Sequence, residues 1–227
     1  MLKMFSMVTL ALVVMVGVAA GAVIPVPSAS FEDPDISPET ETNDYPSGWW
    51  FAGTYSGGGF MHSDPSEATD GDQFVEIRNN ADWDGSYKYG VFFDDNIGTD
   101  FEEGMLYNLT LDVKLADQAP TDGNIDVRLQ TTLGSGRKIA GQVKLAIGDD
   151  ITAEDGWMTV STGWVEATDV HDGNGIRLQL EANRMPLAGD GVYFDNVRLE
   201  AIPEPATMLM MTTGLVGAWG LRRRRKV

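Results

Sequence analysis

Leu109-Thr110-Leu111-Asp112-Val113-Lys114-Leu115 alternates apolar and polar residues without a break. Successive side chains of an extended strand point to opposite faces, so this run predicts a strand buried on one side and wetted on the other. Ile125, Val127 and Leu129 repeat the pattern, and so do Ile176, Leu178 and Leu180. Further strands are expected at 73–78, 87–93, 138–147, 157–165 and 191–200, separated by turn signals such as Asp122-Gly123-Asn124 and Asp172-Gly173-Asn174-Gly175. Helical periodicity is not sustained anywhere between Val23 and Ile202. Eight or nine short strands at this spacing predict an all-β sandwich or barrel. The acidic, Pro-containing stretch 33–44 reads as an exposed loop.

The two ends of the chain have a different character. Lys3 precedes an apolar run from Met4 to Val18, and Ala19-Ala20-Gly21-Ala22 follows. Charge, apolar stretch and small residues are the three parts of a secretory signal, read by signal peptidase and the general export machinery. Cleavage is expected after Ala22, with Ala20 as the alternative. At the other end, Pro203-Glu204-Pro205 leads into Ala206 to Leu221, which carries no charge, and then Arg222-Arg223-Arg224-Arg225-Lys226. Sixteen helical residues rise about 24 Å, and arginines can snorkel to cover the shortfall against the hydrocarbon core. The basic cluster should stay cytoplasmic, leaving Pro-Glu-Pro outside.

Removing both ends leaves 23–202, 180 residues with ten Lys and Arg against thirty-three Asp and Glu, a net charge of −23. The whole-chain value of −18 conceals this, because six basic residues lie in the ends. Such acidity argues against nucleic acid, whose phosphates need basic partners, and permits divalent cations. The chain has no cysteine, so this exported domain is stabilised by its core rather than by disulfides.

The Pro-Glu-Pro, apolar helix and arginine block resemble the PEP-CTERM sorting signal, over 203–227. That resemblance implies recognition by an exosortase at Pro203, Glu204 and Pro205, with Arg222, Arg223, Arg224 and Arg225 as the inner anchor. It implies transient anchoring in the inner membrane of a Gram-negative-type bacterium, then delivery to the cell surface or exopolysaccharide matrix. Ser28-Ala29-Ser30-Phe31-Glu32-Asp33, Ala68-Thr69-Asp70-Gly71-Asp72-Gln73 and Val192-Tyr193-Phe194-Asp195-Asn196-Val197 are together similar to the galactose-binding-like jelly rolls that include many carbohydrate-binding modules. Ser28 stands where that family usually has Asn. The resemblance implies a jelly-roll β-sandwich and a structural calcium at Glu32 and Asp195, with backbone oxygens near Gly71 and Asp72.

Asp195 also poses a problem on its own residues. A straight last strand would put Tyr193, Asp195, Val197 and Leu199 on one face, burying a carboxylate among apolar groups. A bulge at Asp195-Asn196 would instead turn Val192 and Phe194 inward before it and Val197 and Leu199 after it. Either arrangement makes the site locally special.

Two segments, 49–60 and 82–89, are dense in aromatic residues, and Trp50, Tyr55, Trp83 and Tyr87 form the candidate glycan site. Aromatic faces stack on sugar C–H faces, although aromatic residues also fill cores; the resemblance to the galactose-binding-like jelly rolls implies a structural role for Trp49. His62 and His171 are the only histidines and form no His/Cys metal pattern. No Gly-x-Ser-x-Gly elbow is present, and a thiol nucleophile is ruled out. The expected function is non-catalytic: a surface or matrix protein associating with extracellular polysaccharide. The alternatives are a structural coat protein without a glycan ligand and a polysaccharide-active enzyme.

Overall fold

The computed structural model describes residues 21–37, 40–43, 45–53, 57–79, 89–94, 97–116, 123–132, 137–183 and 191–204. Among the described residues there are thirteen strands and no helix. The larger sheet runs β10 (Met158–Ser161), β7 (Met105–Leu115), β13 (Gly191–Pro203), β5 (Gln73–Asn79), β4 (Gly57–Ser63) and β2 (Thr40–Thr42). Two short strands join it: β1 (Ala22–Ile24) against β13, and β11 (Val165–Glu166) against β7. The smaller sheet runs β3 (Trp49–Gly53), β6 (Tyr89–Asp94), β12 (Ile176–Asn183), β8 (Asn124–Thr131) and β9 (Ile139–Ala146). The result is the expected all-β jelly-roll sandwich.

Period-two patterning explains the packing. Leu109, Leu111, Val113 and Leu115 of β7 are all buried, as are Ile125, Val127 and Leu129 of β8 and Ile176, Leu178 and Leu180 of β12. Each such side chain removed from water is worth roughly 1.5–3 kcal/mol, and all ten belong to one core between the sheets.

Strand β13 contains the bulge. Asp195 pairs with Asp112, but the next pair is Arg198 with Thr110, so β13 holds one more residue than β7 there. Asn196 takes φ 54°, the left-handed conformation that asparagine tolerates better than most residues. The phase therefore flips: Val192, Phe194, Val197 and Leu199 all reach the core, while Asp195 faces the outer side of the sheet.

Several sequence expectations are corrected. The loop expected at 33–44 contains β2, whose three residues pair with β4. The aromatic stretch 49–60 is largely strand: β3 enters the smaller sheet and β4 the larger. Sequence alternation fails in β4 because Gly57-Gly58-Gly59 supplies no side-chain pattern. The 157–165 strand divides into β10 and β11, both paired with β7.

Candidate functional site

The outer face of the smaller sheet carries a continuous polar row. Asp126 and Glu181 lie directly opposite each other on β8 and β12. Two carboxylates so placed would repel, and Arg128 neutralises both, pairing with Asp126 and approaching Glu181 at 3.3 Å. Gln142 on β9 donates to both oxygens of Asp126, at 2.8 and 2.9 Å. Gln179 donates to Glu181 at 2.7 Å and accepts from Gln130 at 2.8 Å. At the β3 edge, Trp50 is 39% exposed, and its ring carries the Arg177 guanidinium at 5.2 Å. Asp126, Gln130 and Gln179 are buried and satisfied by these mutual bonds, so the exposed Trp50 indole is what this face offers a hydroxyl-rich ligand, by stacking.

Trp49 plays the opposite part. It is buried, packs edge-on against Phe31 at 5.3 Å, and donates its indole N–H to the Pro27 carbonyl at 3.0 Å. Alternation in β3 thus separates a core tryptophan from an exposed one. Tyr55, Trp83 and Tyr87, the other candidate glycan residues, lie outside the described residues.

The outer face of the larger sheet holds a second cluster that sequence reasoning missed. Glu76 on β5 is almost wholly buried, at 1% exposed. It accepts from or pairs with His62 Nε2 at 2.7 Å and Arg78 Nε at 2.9 Å, with a second contact to Arg78 Nη2. Arg78 also reaches Glu41 at 2.9 Å. Its bond holds the Glu41 carboxyl below the usual range. Glu41, His62 and Glu76 are near enough together for one cation. The Arg78 guanidinium already fills that role, touching both carboxylates and lying 3.5 Å from His62 Nε2. A dication does not fit beside it. One signal was readable in sequence: Phe74, Glu76 and Arg78 share the outward phase of β5. The β4–β5 register that adds His62 was not.

The loop before β5 is held by a latch. Glu32 Oε1 accepts the backbone N–H groups of Asp72 and Gln73, both at 2.8 Å. Gly71 has φ +77°, and a Cβ there would lie 2.2 Å from Glu32 Oε1, so only glycine lets the loop close on this carboxylate. Asp195 Oδ2 takes the same loop from its other end, accepting Thr69 N at 2.7 Å, Thr69 Oγ1 at 2.9 Å and Asp70 N at 3.1 Å. Oδ1 accepts the N–H of Asn196 at 2.7 Å. Burial nevertheless raises the Asp195 carboxyl to about 6, because desolvation outweighs these bonds. The residues expected to hold calcium are therefore brought together, Glu32 and Asp195 both bonded to the loop that carries Gly71 and Asp72. Glu32 and Asp195 accept N–H and O–H groups of that loop, and both are hard oxygen donors of the kind calcium takes.

Strand β1 and the end of β13 meet on the larger sheet. Ala22 pairs with Ala201, so cleavage after Ala20 leaves β1 whole, whereas cleavage after Ala22 removes its first residue. Strand β13 extends one residue beyond the expected 202 boundary: Pro203 pairs with Met105, and the Glu204 N–H donates to the Gly104 carbonyl at 2.9 Å. Pro205 and Arg222 to Arg225 lie outside the described residues. Among the described residues no helix is long and apolar enough to cross a membrane.

Residues 22–200 match the HpiC1-like family, described as HpiC1 cyclase. The chain belongs to this family. Residues 201–225 match the PEP-CTERM protein-sorting motif, which assigns the HpiC1-like domain to an exported protein bound for the cell surface or exterior through a membrane-anchored intermediate. No curated protein sequence matches the chain. Among solved structures, the HpiC1-like domain is similar to a Stig cyclase, Fisc from Fischerella sp. TAU, in complex with (3Z)-3-(1-methyl-2-pyrrolidinylidene)-3H-indole. The TM-score is 0.60 at 21% identity, covering 82% of this chain and 100% of that one. A cyclase from Fischerella sp. TAU in complex with 4-(1H-indol-3-yl)butan-2-one gives a TM-score of 0.60 at 20% identity, over 81% and 98%. An arabinose-bound α-L-arabinofuranosidase gives 0.53 at 15% identity, over 82% of this chain and 27% of that one. At these identities the likeness is one of fold.

Proposed function

We propose that this is a non-catalytic surface or matrix protein of a Gram-negative-type bacterium, which binds extracellular polysaccharide through the outer face of its smaller sheet. The observation that carries this reading is the exposed Trp50 indole on that face, with the Arg177 guanidinium against its ring. The PEP-CTERM motif supports it by directing the domain outward, where polysaccharide is the abundant ligand. Affinity electrophoresis of the secreted protein through gels containing neutral and acidic polysaccharides is the test. Retardation by at least one glycan, lost in Trp50→Ala, is expected; no retardation in any gel overturns the reading and leaves a coat protein without a glycan ligand.

The family's description as a cyclase supports a second reading, in which the sandwich rearranges a small molecule. Incubating the secreted protein with indole-bearing substrates of the cyclase type, followed by mass-resolved chromatography, separates the two. A product isomer dependent on the folded protein favours the enzyme; unchanged substrate favours the binding protein.

A further inference from the structure

On the outer face of the larger sheet, away from the Trp50 face, a cavity of about 370 Å³ opens beside the Glu76 cluster. That volume is within the usual range for small-molecule sites. Glu41, Asp64 and Glu67 line it with carboxylates, His62 adds an imidazole edge, and Phe74 and Tyr193 add aromatic rings. Phe74 and Tyr193 lie 4.8 Å apart and tilted, and His62 stacks on Phe74 at 5.0 Å. The wall is therefore built from packed rings rather than mobile side chains. His62 is oriented by its 2.7 Å contact with the buried Glu76.

The charge of the cavity selects its occupant. Its lining contains three carboxylates and neither Lys nor Arg. Arg78 pairs with Glu41 and Glu76, and Lys114 with Glu67, so three carboxylates meet two permanent cations and Asp64 adds a fourth negative charge. Bonds from Ser66 keep Asp64 below the ordinary carboxylate range, and hence ionised at neutral pH. Excess negative charge beside aromatic faces favours a cation carried on an apolar-faced frame.

We infer that this cavity is a second binding site, taking an amine-bearing saccharide unit whose ammonium group meets the carboxylates and whose ring lies against Tyr193. The inference extends the polysaccharide reading, since the amine would be carried by a glycan, but it uses different residues. The test is calorimetric titration of the secreted protein with glucosamine oligomers and with the same oligomers N-acetylated, which removes the charge and keeps the backbone. Binding at least tenfold tighter to the amine form is expected, weakened at least fivefold by Asp64→Asn and by Glu41→Gln. Equal affinity for the two oligomers, no binding of the amine form, or loss confined to Trp50→Ala overturns the inference. The first and third results leave the Trp50 face standing as a glycan site. Circular dichroism of each variant confirms that the sandwich is intact, and either carboxylate variant alone suffices for the decision.

Discussion

Asp195 on the last strand accepts a hydrogen bond from the backbone N–H of Thr69, 2.7 Å away in space and 126 residues earlier in the chain. The Thr69 hydroxyl lies 2.9 Å from both Asp195 and Asp112, two carboxylates that face each other across β13 and β7. Asn196 adds a bond to Asp112 at 2.9 Å, and Thr159 another at 2.6 Å. A bulge that turns a carboxylate out of the core thus ties the last strand to the loop before β5.

Replacing Thr69 by valine keeps the side-chain shape and removes the hydroxyl between the two carboxylates. Losing a bond to a buried charged group costs about 1.5 to 3 kcal/mol. Urea denaturation should show that loss with an unchanged slope. A variant as stable as the wild type would show that the hydroxyl does not hold the two strands.

The raised Asp195 pKa has a definite sign. The folded protein holds the Asp195 proton up to about pH 6, whereas the unfolded chain releases it near 3.8. Between those values the folded state binds more protons, so the stability contributed by this group is complete below 3.8 and lost as pH rises through 6. The size is about 3 kcal/mol. Melting curves of the wild type and Asp195→Asn between pH 3.5 and 7 should converge or cross across that window, with the wild type losing relative stability toward neutral pH. Parallel curves would show that Asp195 does not titrate there.

Adjacent tryptophans should behave oppositely. Trp49→Ala removes a buried ring packed on Phe31 and should cost about 3 to 5 kcal/mol. Trp50→Ala removes an indole that is 39% exposed and should shift the melting temperature little. Equal destabilisation by both would mean that Trp50 is part of the core.

Pro203 and Glu204 are held at the end of β13 by Met105 and Gly104, so processing at the sorting motif must first release them from the sheet. Inserting a flexible Gly-Ser segment between Ile202 and Pro203 should raise the rate at which the tail is removed, followed by pulse-chase. An unchanged rate would mean that fraying of the strand end is not limiting.

Much of the fold was legible because β7, β8 and β12 each bury one face, and alternation records that directly. β13 was legible as a choice between two phases, and the buried carboxylate marked where the phase changes. β2 and β4 were hidden for a physical reason. One is three polar residues long, and the other begins with three glycines, so neither carries an apolar period. In the candidate site, the strand that separates buried Trp49 from exposed Trp50 was not among those expected from the sequence. The His62–Glu76 contact and the Asp126–Glu181 pair depend on strand register, which hydrogen bonding between distant segments sets and no local pattern records.

The most direct test of polysaccharide binding by the smaller sheet is an equilibrium binding measurement of the secreted protein on exopolysaccharide purified from its own source, for wild type and Trp50→Ala at matched thermal stability. Saturable wild-type binding, weakened at least tenfold in Trp50→Ala, is the predicted result. Wild-type binding that is absent, or identical in the variant, would contradict it.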